Sequence, residues 1–138
     1  MSGASVALNE DGSYRSMVRH TATDHDLALW YRTVARTPVT AMLERVSAMP
    51  RQGVSSTFKF GCQFGLCIGL LTAFRIRYEM VTPVKWQSAM KCRTGGEKKV
   101  SRAAAQRLFP DLDWRVTDHE ADALLIAEYC RRVTLGIL

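Results

Sequence analysis

Near the amino terminus, short stretches alternate apolar and polar positions around a turn; further along, apolar residues recur every three or four positions. Ser5 to Leu8 and Ser13 to Val18 flank Asn9-Glu10-Asp11-Gly12, and Asp-Gly is a strong turn signal, so a β-hairpin is predicted. Thr23 followed by Asp26 resembles a capping box, and Leu27, Trp30, Tyr31 and Val34 recur at helical spacing, which predicts a helix over 24–36 that Pro38 ends. Val39 to Glu44 reads as a short buried strand. Its acid stands at the carboxyl end, where open α/β sheets present their sites.

Ala48 to Thr57 contains Pro50, Gly53 and two serines and is expected to be a loop with Arg51 exposed. A helix is predicted over 58–75, with Gly61, Gly65 and Gly69 every four residues on one face. Glycine costs a helix about 1 kcal/mol relative to alanine, so three in register imply close approach by another backbone. Packing on the chain's own sheet and a subunit interface both account for them. A strand over 78–81, a short helix over 84–90, a basic loop over 92–96 and a helix over 97–109 follow. Thr117 with Glu120 forms a capping box before a last helix over 118–133. This order indicates an α/β fold with a mixed sheet flanked by helices.

With 138 residues, 47% of them apolar, the chain suits one compact domain spanning 1–138. The net charge of +6 favours a polyanionic partner. Lys85, Lys91, Arg93, Lys98, Lys99, Arg102 and Arg107 face only Glu97 between positions 85 and 107. Such a segment is either a solvated face or a nucleic-acid surface. Cys62, Cys67, Cys92 and Cys130 form no C-x-x-C pair and have no His at ligand spacing, which argues against structural zinc. Cys62 and Cys67 sit in an apolar helical stretch and read as reduced core thiols of a cytoplasmic protein. No signal-peptide pattern opens the chain, and the apolar run from Phe64 to Phe74 is shorter than the about 20 residues that span a bilayer, so no membrane is expected.

The candidate chemistry lies in acids at the ends of apolar elements. Carboxylates in such places need a cation or a hydrogen-bond donor. Glu44 closes a strand, and Asp118, His119 and Asp122 stand in the first turns of the last helix at spacings that allow one common side. A helix amino terminus favours carboxylates by itself, so Asp118 is also explained as a capping acid. Asp122 lies deeper, beside Ala121, Ala123 and Leu124, and needs a partner.

The segments L-E-R-V with A-M-P-R-Q-G-V-S-S-T-F-K-F-G, V-T-P-V-K-W, G-E-K-K-V-S-R-A-A-A-Q-R-L-F-P and D-H-E-A-D-A-L-L-I-A-E-Y together resemble the RuvC family of Holliday junction resolvases, in its phage and prophage branch. The resemblance implies an RNase H-like fold, a homodimer, branched DNA as substrate, and phosphodiester hydrolysis with two Mg²⁺ or Mn²⁺ ions and no small-molecule cofactor. Carried over by motif, Glu44 is the acid after the fourth family strand, Asp122 the last acid of A-D-A, and His119 its partner three residues earlier. These three are the expected metal-site residues, with Asp118 a further catalytic candidate. Lys98 matches a phosphate-contacting lysine, and Lys99, Arg102, Lys85 and Arg51 are the other expected DNA contacts. Phe58 or Phe60 stacks on unpaired bases or belongs to the core.

Family members carry, just before a segment like S-G-A, a strand of the form apolar-G-I-D-x-G whose Asp bridges both metals. Here Met1-Ser2-Gly3-Ala4 stands at that place, so the central strand and its Asp are expected to be absent, through an upstream true start or decay of a prophage copy. Its neighbours would then expose open edges. Asp11, in a hairpin turn, reads as a turn residue rather than a substitute. Two functions follow as expectations: a structure-selective endonuclease impaired without that Asp, or a non-catalytic DNA-binding or interaction module.

Overall fold

The computed structural model describes residues 3–45, 53–93 and 98–138. Strands β1 (Ala4–Leu8) and β2 (Tyr14–Arg19) form the expected antiparallel hairpin. Asp11 accepts from the Ser13 backbone N–H (2.9 Å) and hydroxyl (2.6 Å), which closes the turn and holds its carboxyl below the usual range. Gly12 takes φ of 92°, a conformation that disfavours any side chain.

Helix α1 (Asp24–Val34) is capped by Thr23, and strand β3 (Thr40–Glu44) pairs in parallel with β4 (Arg77–Val81). Between them α2 runs from Val54 to Ala73. The expected loop therefore gives way to helix at Val54, because Ser55 and Ser56 stand exposed in a first turn that begins at Gly53. Arg51 and the rest of that loop up to Gln52 lie outside the described residues. Helix α3 (Pro83–Ala89) starts with proline at its first turn behind the Thr82 cap. Helices α4 (Lys98–Leu108) and α5 (Asp118–Leu135) complete the fold; α5 has the Thr117–Glu120 capping box and a left-handed Gly136 at its end.

Strands β2, β3 and β4 feed two cores by period-two alternation, while β1 feeds one of them. Val6, Leu8, Met17 and Met42 pack with Trp86, Leu124 and Leu125 among α3, α4 and α5. Val18, Ala41 and Tyr78 pack with Leu27, Tyr31, Leu71 and Ile76 on the α1 and α2 side. Strands thus lie between two helical layers. One ion pair and one hydrogen bond fasten the hairpin to α5: Glu120 meets Arg19 at 2.5 Å, and Arg131, held by buried Glu128 at 2.6 Å within α5, donates to the Glu10 carbonyl.

Several details depart from the sequence reading. Cys62 is exposed and not a core thiol, whereas Cys67, Cys92 and Cys130 are buried; all four thiols are free. Phe58 is 72% exposed, which rules it out of the core. Gly61, Gly65 and Gly69 face open space among the described residues, so packing on the chain's own sheet does not explain them. Helix α2, with its 20 residues and mean hydropathy of 1.3, is long and apolar enough to cross a membrane by length and composition alone. The shorter run from Phe64 had suggested otherwise.

Candidate functional site between the two sheets

Among the described residues the strands form two separate pairs, β1 with β2 and β3 with β4, and β1 and β3 line a cleft of about 760 Å³. Their directions follow from α5. Arg19 pairs with Glu120 at the start of α5 and with Ala4 in the hairpin ladder, while Glu10 lies against Arg131 near the end of α5, so β1 runs from the start of α5 toward its end. Strand β3 runs the other way. Cys130 Sγ lies 3.7 Å from the Thr40 carbonyl at the start of β3, and the imidazole of His119 acts on Glu44 at its finish.

Helix α5 presents His119, Asp122, Ala123, Ile126, Ala127 and Cys130 to the cleft, a stripe set by spacings of three and four. On the opposite wall, the Ser5 hydroxyl links His20 Nε2 (2.9 Å) and the Tyr31 hydroxyl (2.8 Å), and burial lowers the His20 pKa. The acids cluster at one end. Glu44 is half-buried and its Oε2 accepts from the indole N–H of Trp86 at 2.6 Å. Burial pushes its pKa up, against the opposing pull of that hydrogen bond and of His119. Asp122 lines the same cleft, and its charge, after burial itself, helps raise the Cys92 thiol pKa.

Glu44, His119 and Asp122 are thus brought to one cleft from the end of β3 and the first turns of α5. Asp118 belongs to the first turn of α5 and does not line the cleft. Carboxylate oxygens suit Mg²⁺ or Mn²⁺ as hard ligands. Their number is the difficulty: among the described residues no group of three His, Cys, Asp or Glu side chains is arranged to hold a metal ion. The described residues do not build a two-metal centre.

Of the expected DNA contacts, Lys85 is exposed on α3, next to Trp86. Arg102 points inward, and its two terminal nitrogens donate to the carbonyls of Val116 and Trp114. It clamps the segment that leads into α5. Lys98 and Lys99 open α4. Trp86 is the residue that sequence reasoning missed: it is 0% exposed, anchors the larger core and holds Glu44. The only signal was an aromatic residue one turn after the Thr82-Pro83 helix start.

No family model and no curated protein matches this sequence. Solved structures do. A structure titled Thermus thermophilus RuvC superposes with a TM-score of 0.59 at 14% identity, covering 96% of this chain and 87% of the other. The fold is that of RuvC. A second structure, of T. thermophilus RuvC in complex with Holliday junction substrate, gives a TM-score of 0.57 at 14% identity over 88% of this chain and 78% of that one. At that identity the likeness to RuvC is one of architecture: an α/β, RNase H-like arrangement of small sheets flanked by helices.

Proposed function

We propose that this single-domain chain is a structure-selective DNA endonuclease of the RuvC type, acting in the cytoplasm on four-way junctions or other branched DNA. One observation carries the reading: in a RuvC fold, Glu44, His119 and Asp122 line one end of one cleft. Mg²⁺ or Mn²⁺ is the proposed cofactor, with Glu44 and Asp122 as carboxylate donors, His119 beside them and Asp118 at the margin. Two carboxylates are few, so full activity requires a further acid on a strand seated in the cleft, as the phage-branch resemblance implies.

Phosphate contact falls to Lys85, Lys98, Lys99 and Arg51, whose charge offsets the repulsion between the acids and a phosphate. Arg102 contributes by holding the loop ahead of α5. Exposed Phe58 is the candidate for stacking on an unpaired base. The open glycine face of α2 is the proposed homodimer contact, where small residues let two helices approach. Junction binding and cleavage with Mg²⁺ or Mn²⁺ test the reading, using the chain alone and one extended ahead of Gly3 by an apolar strand carrying Asp. The extended form is expected to cut, and Glu44→Gln or Asp122→Asn in it to reduce cutting at least a hundredfold while junction affinity changes less than threefold, as for lost metal ligands (on the order of 3 kcal/mol of barrier).

A second reading, a non-catalytic branched-DNA binder, is favoured by the lack of a three-ligand group among the described residues. Tight, salt-sensitive junction binding with no cleavage by either form would select it.

A further inference from the structure

We infer that the free edge of β4 is a self-pairing surface: two copies of this chain join their β4 strands antiparallel about a two-fold axis at Tyr78, continuing the sheet of β3 and β4 across the contact. The inference stands apart from any action on DNA and from the α2 face. Its first support is the backbone. The Arg45 N–H donates to the Val81 carbonyl at 2.7 Å, and Val81 stands opposite Glu44 in the parallel ladder, so Val81, Glu79 and Arg77 turn their backbone groups to β3. Alternation leaves the N–H and C=O of Tyr78 and Met80 on the outer side. The Ile76 carbonyl joins them, because in a trans peptide it points opposite to the Arg77 N–H, while the Ile76 N–H is already satisfied by the Leu71 carbonyl at 2.8 Å.

Among the described residues no strand and no backbone hydrogen bond takes up the outer groups of Tyr78 and Met80. An open edge of this kind is a template for another chain. Neither face of it is roofed over. Arg77 and Glu79 are exposed on the face that Val81 gives to the larger core, and Met80 is 42% exposed on the face where Tyr78 packs with the α1 and α2 side.

Charge names the partner and its register. Arg77 and Glu79 stand two apart on one face, and neither forms an ion pair among the described residues. With Tyr78 opposite the copy's Tyr78, Arg77 of each chain lies opposite Glu79 of the other, at the pairs between bonded ones where opposed side chains come closest. In that register the two Tyr78 residues exchange both backbone bonds, and each Met80 N–H meets the copy's Ile76 carbonyl. A slip of two residues, the smallest that keeps the outer groups facing, sets Glu79 on Glu79 or Arg77 on Arg77, and like charges directly opposite repel. One register is therefore both bonded and charge-balanced. The outer edge of β2 is built the other way: it carries Arg15 and Arg19 and no acid, so no register balances it against its own copy. A single strand pair buries less than a standard interface of about 1,600 Å², so it joins copies at high protein concentration rather than at dilution.

The test is sedimentation of the full chain over rising concentration, with hydrogen exchange on the same samples. Association should slow exchange at the amides of Tyr78 and Met80 and leave Glu79, already bonded to β3, unchanged. Arg77→Glu and Glu79→Arg, both at exposed positions, should each weaken association about tenfold. An equal mixture of the two variants should regain association, since every opposed pair is again of opposite sign, and a misfolded variant could not produce that recovery. The double change, Arg77→Glu with Glu79→Arg, should associate with itself as the wild type does. Repeating the series in Gly65→Leu keeps the α2 face out of the readout. Single variants that associate as well as the wild type, a mixture no better than its parts, or no concentration-dependent protection of Tyr78 and Met80 overturns the inference.

Discussion

At the scale of single residues, half-buried Glu44 and buried Glu128 are both carboxylates withdrawn from solvent, yet their surroundings move them in opposite directions. Burial raises Glu128, but Arg131 at 2.6 Å and Arg132 at 3.2 Å outweigh it and hold the carboxyl below the ordinary glutamate range. Its stabilising effect is present above the unfolded pKa and is lost as pH falls through the lower folded value. Glu128→Gln should cost about 2 kcal/mol in urea unfolding at pH 7, less than the about 3–5 kcal/mol for breaking a fully buried pair because both arginines are partly exposed, and progressively less as pH falls below the ordinary glutamate range. Glu44 has the reverse sign. Its folded pKa is raised chiefly by burial, so its contribution is full below the unfolded pKa and is lost as pH rises through the folded value. In chelator, Glu44→Gln should melt at the wild-type temperature near pH 4 and above it at pH 8, since Gln keeps an acceptor for Trp86 Nε1 without the charge. A lower melting temperature at pH 8 would show that the ionised carboxylate stabilises the fold.

At the scale of elements, apolar periodicity was readable wherever an element packs on another, and failed where it does not. The hairpin, α1, β3 and the α5 capping box were legible because each combines a short apolar period with a local terminator, such as Asp11-Gly12, Pro38 or Thr117. The start of α2 was not, since Ser55 and Ser56 suit a loop and a solvated first turn equally. Nor could sequence say where Gly61, Gly65 and Gly69 face; the fold points them to open space among the described residues. If that face meets its own copy, Gly65→Leu should shift the protein from dimer to monomer in sedimentation. The same change should leave monomer stability level or raise it by about 1 kcal/mol, because Leu outranks Gly in a helix interior. Loss of folding instead would mean that the face packs within the chain. Flotation of wild-type protein with lipid vesicles would identify a bilayer as the surface that covers α2.

At the scale of the whole molecule, the placement of charge relative to the cleft sets what can enter it. The chain carries +6, while Glu44 and Asp122 stand at one end of the cleft, so an incoming phosphate meets repulsion there unless a cation intervenes. The acids at their spacing were legible in the sequence. Trp86 as the donor that positions one of them was not, because a contact between residues 42 apart depends on how β3 and α3 pack. Arg102 was misleading for the same reason, its charge in the sequence being turned onto the carbonyls of Val116 and Trp114. Two basic residues of the same segment should therefore behave differently. Lys85→Ala should lower the slope of log affinity against log salt for junction DNA by about 1, the release of roughly one counterion, and leave the melting temperature unchanged. Arg102→Ala should instead lower the melting temperature, by about 1–3 kcal/mol of stability for two lost hydrogen bonds to part-buried carbonyls, with the salt slope preserved. Equal slopes for wild type and Lys85→Ala would place DNA on another face, leaving the lysines opening α4 as the next to be varied.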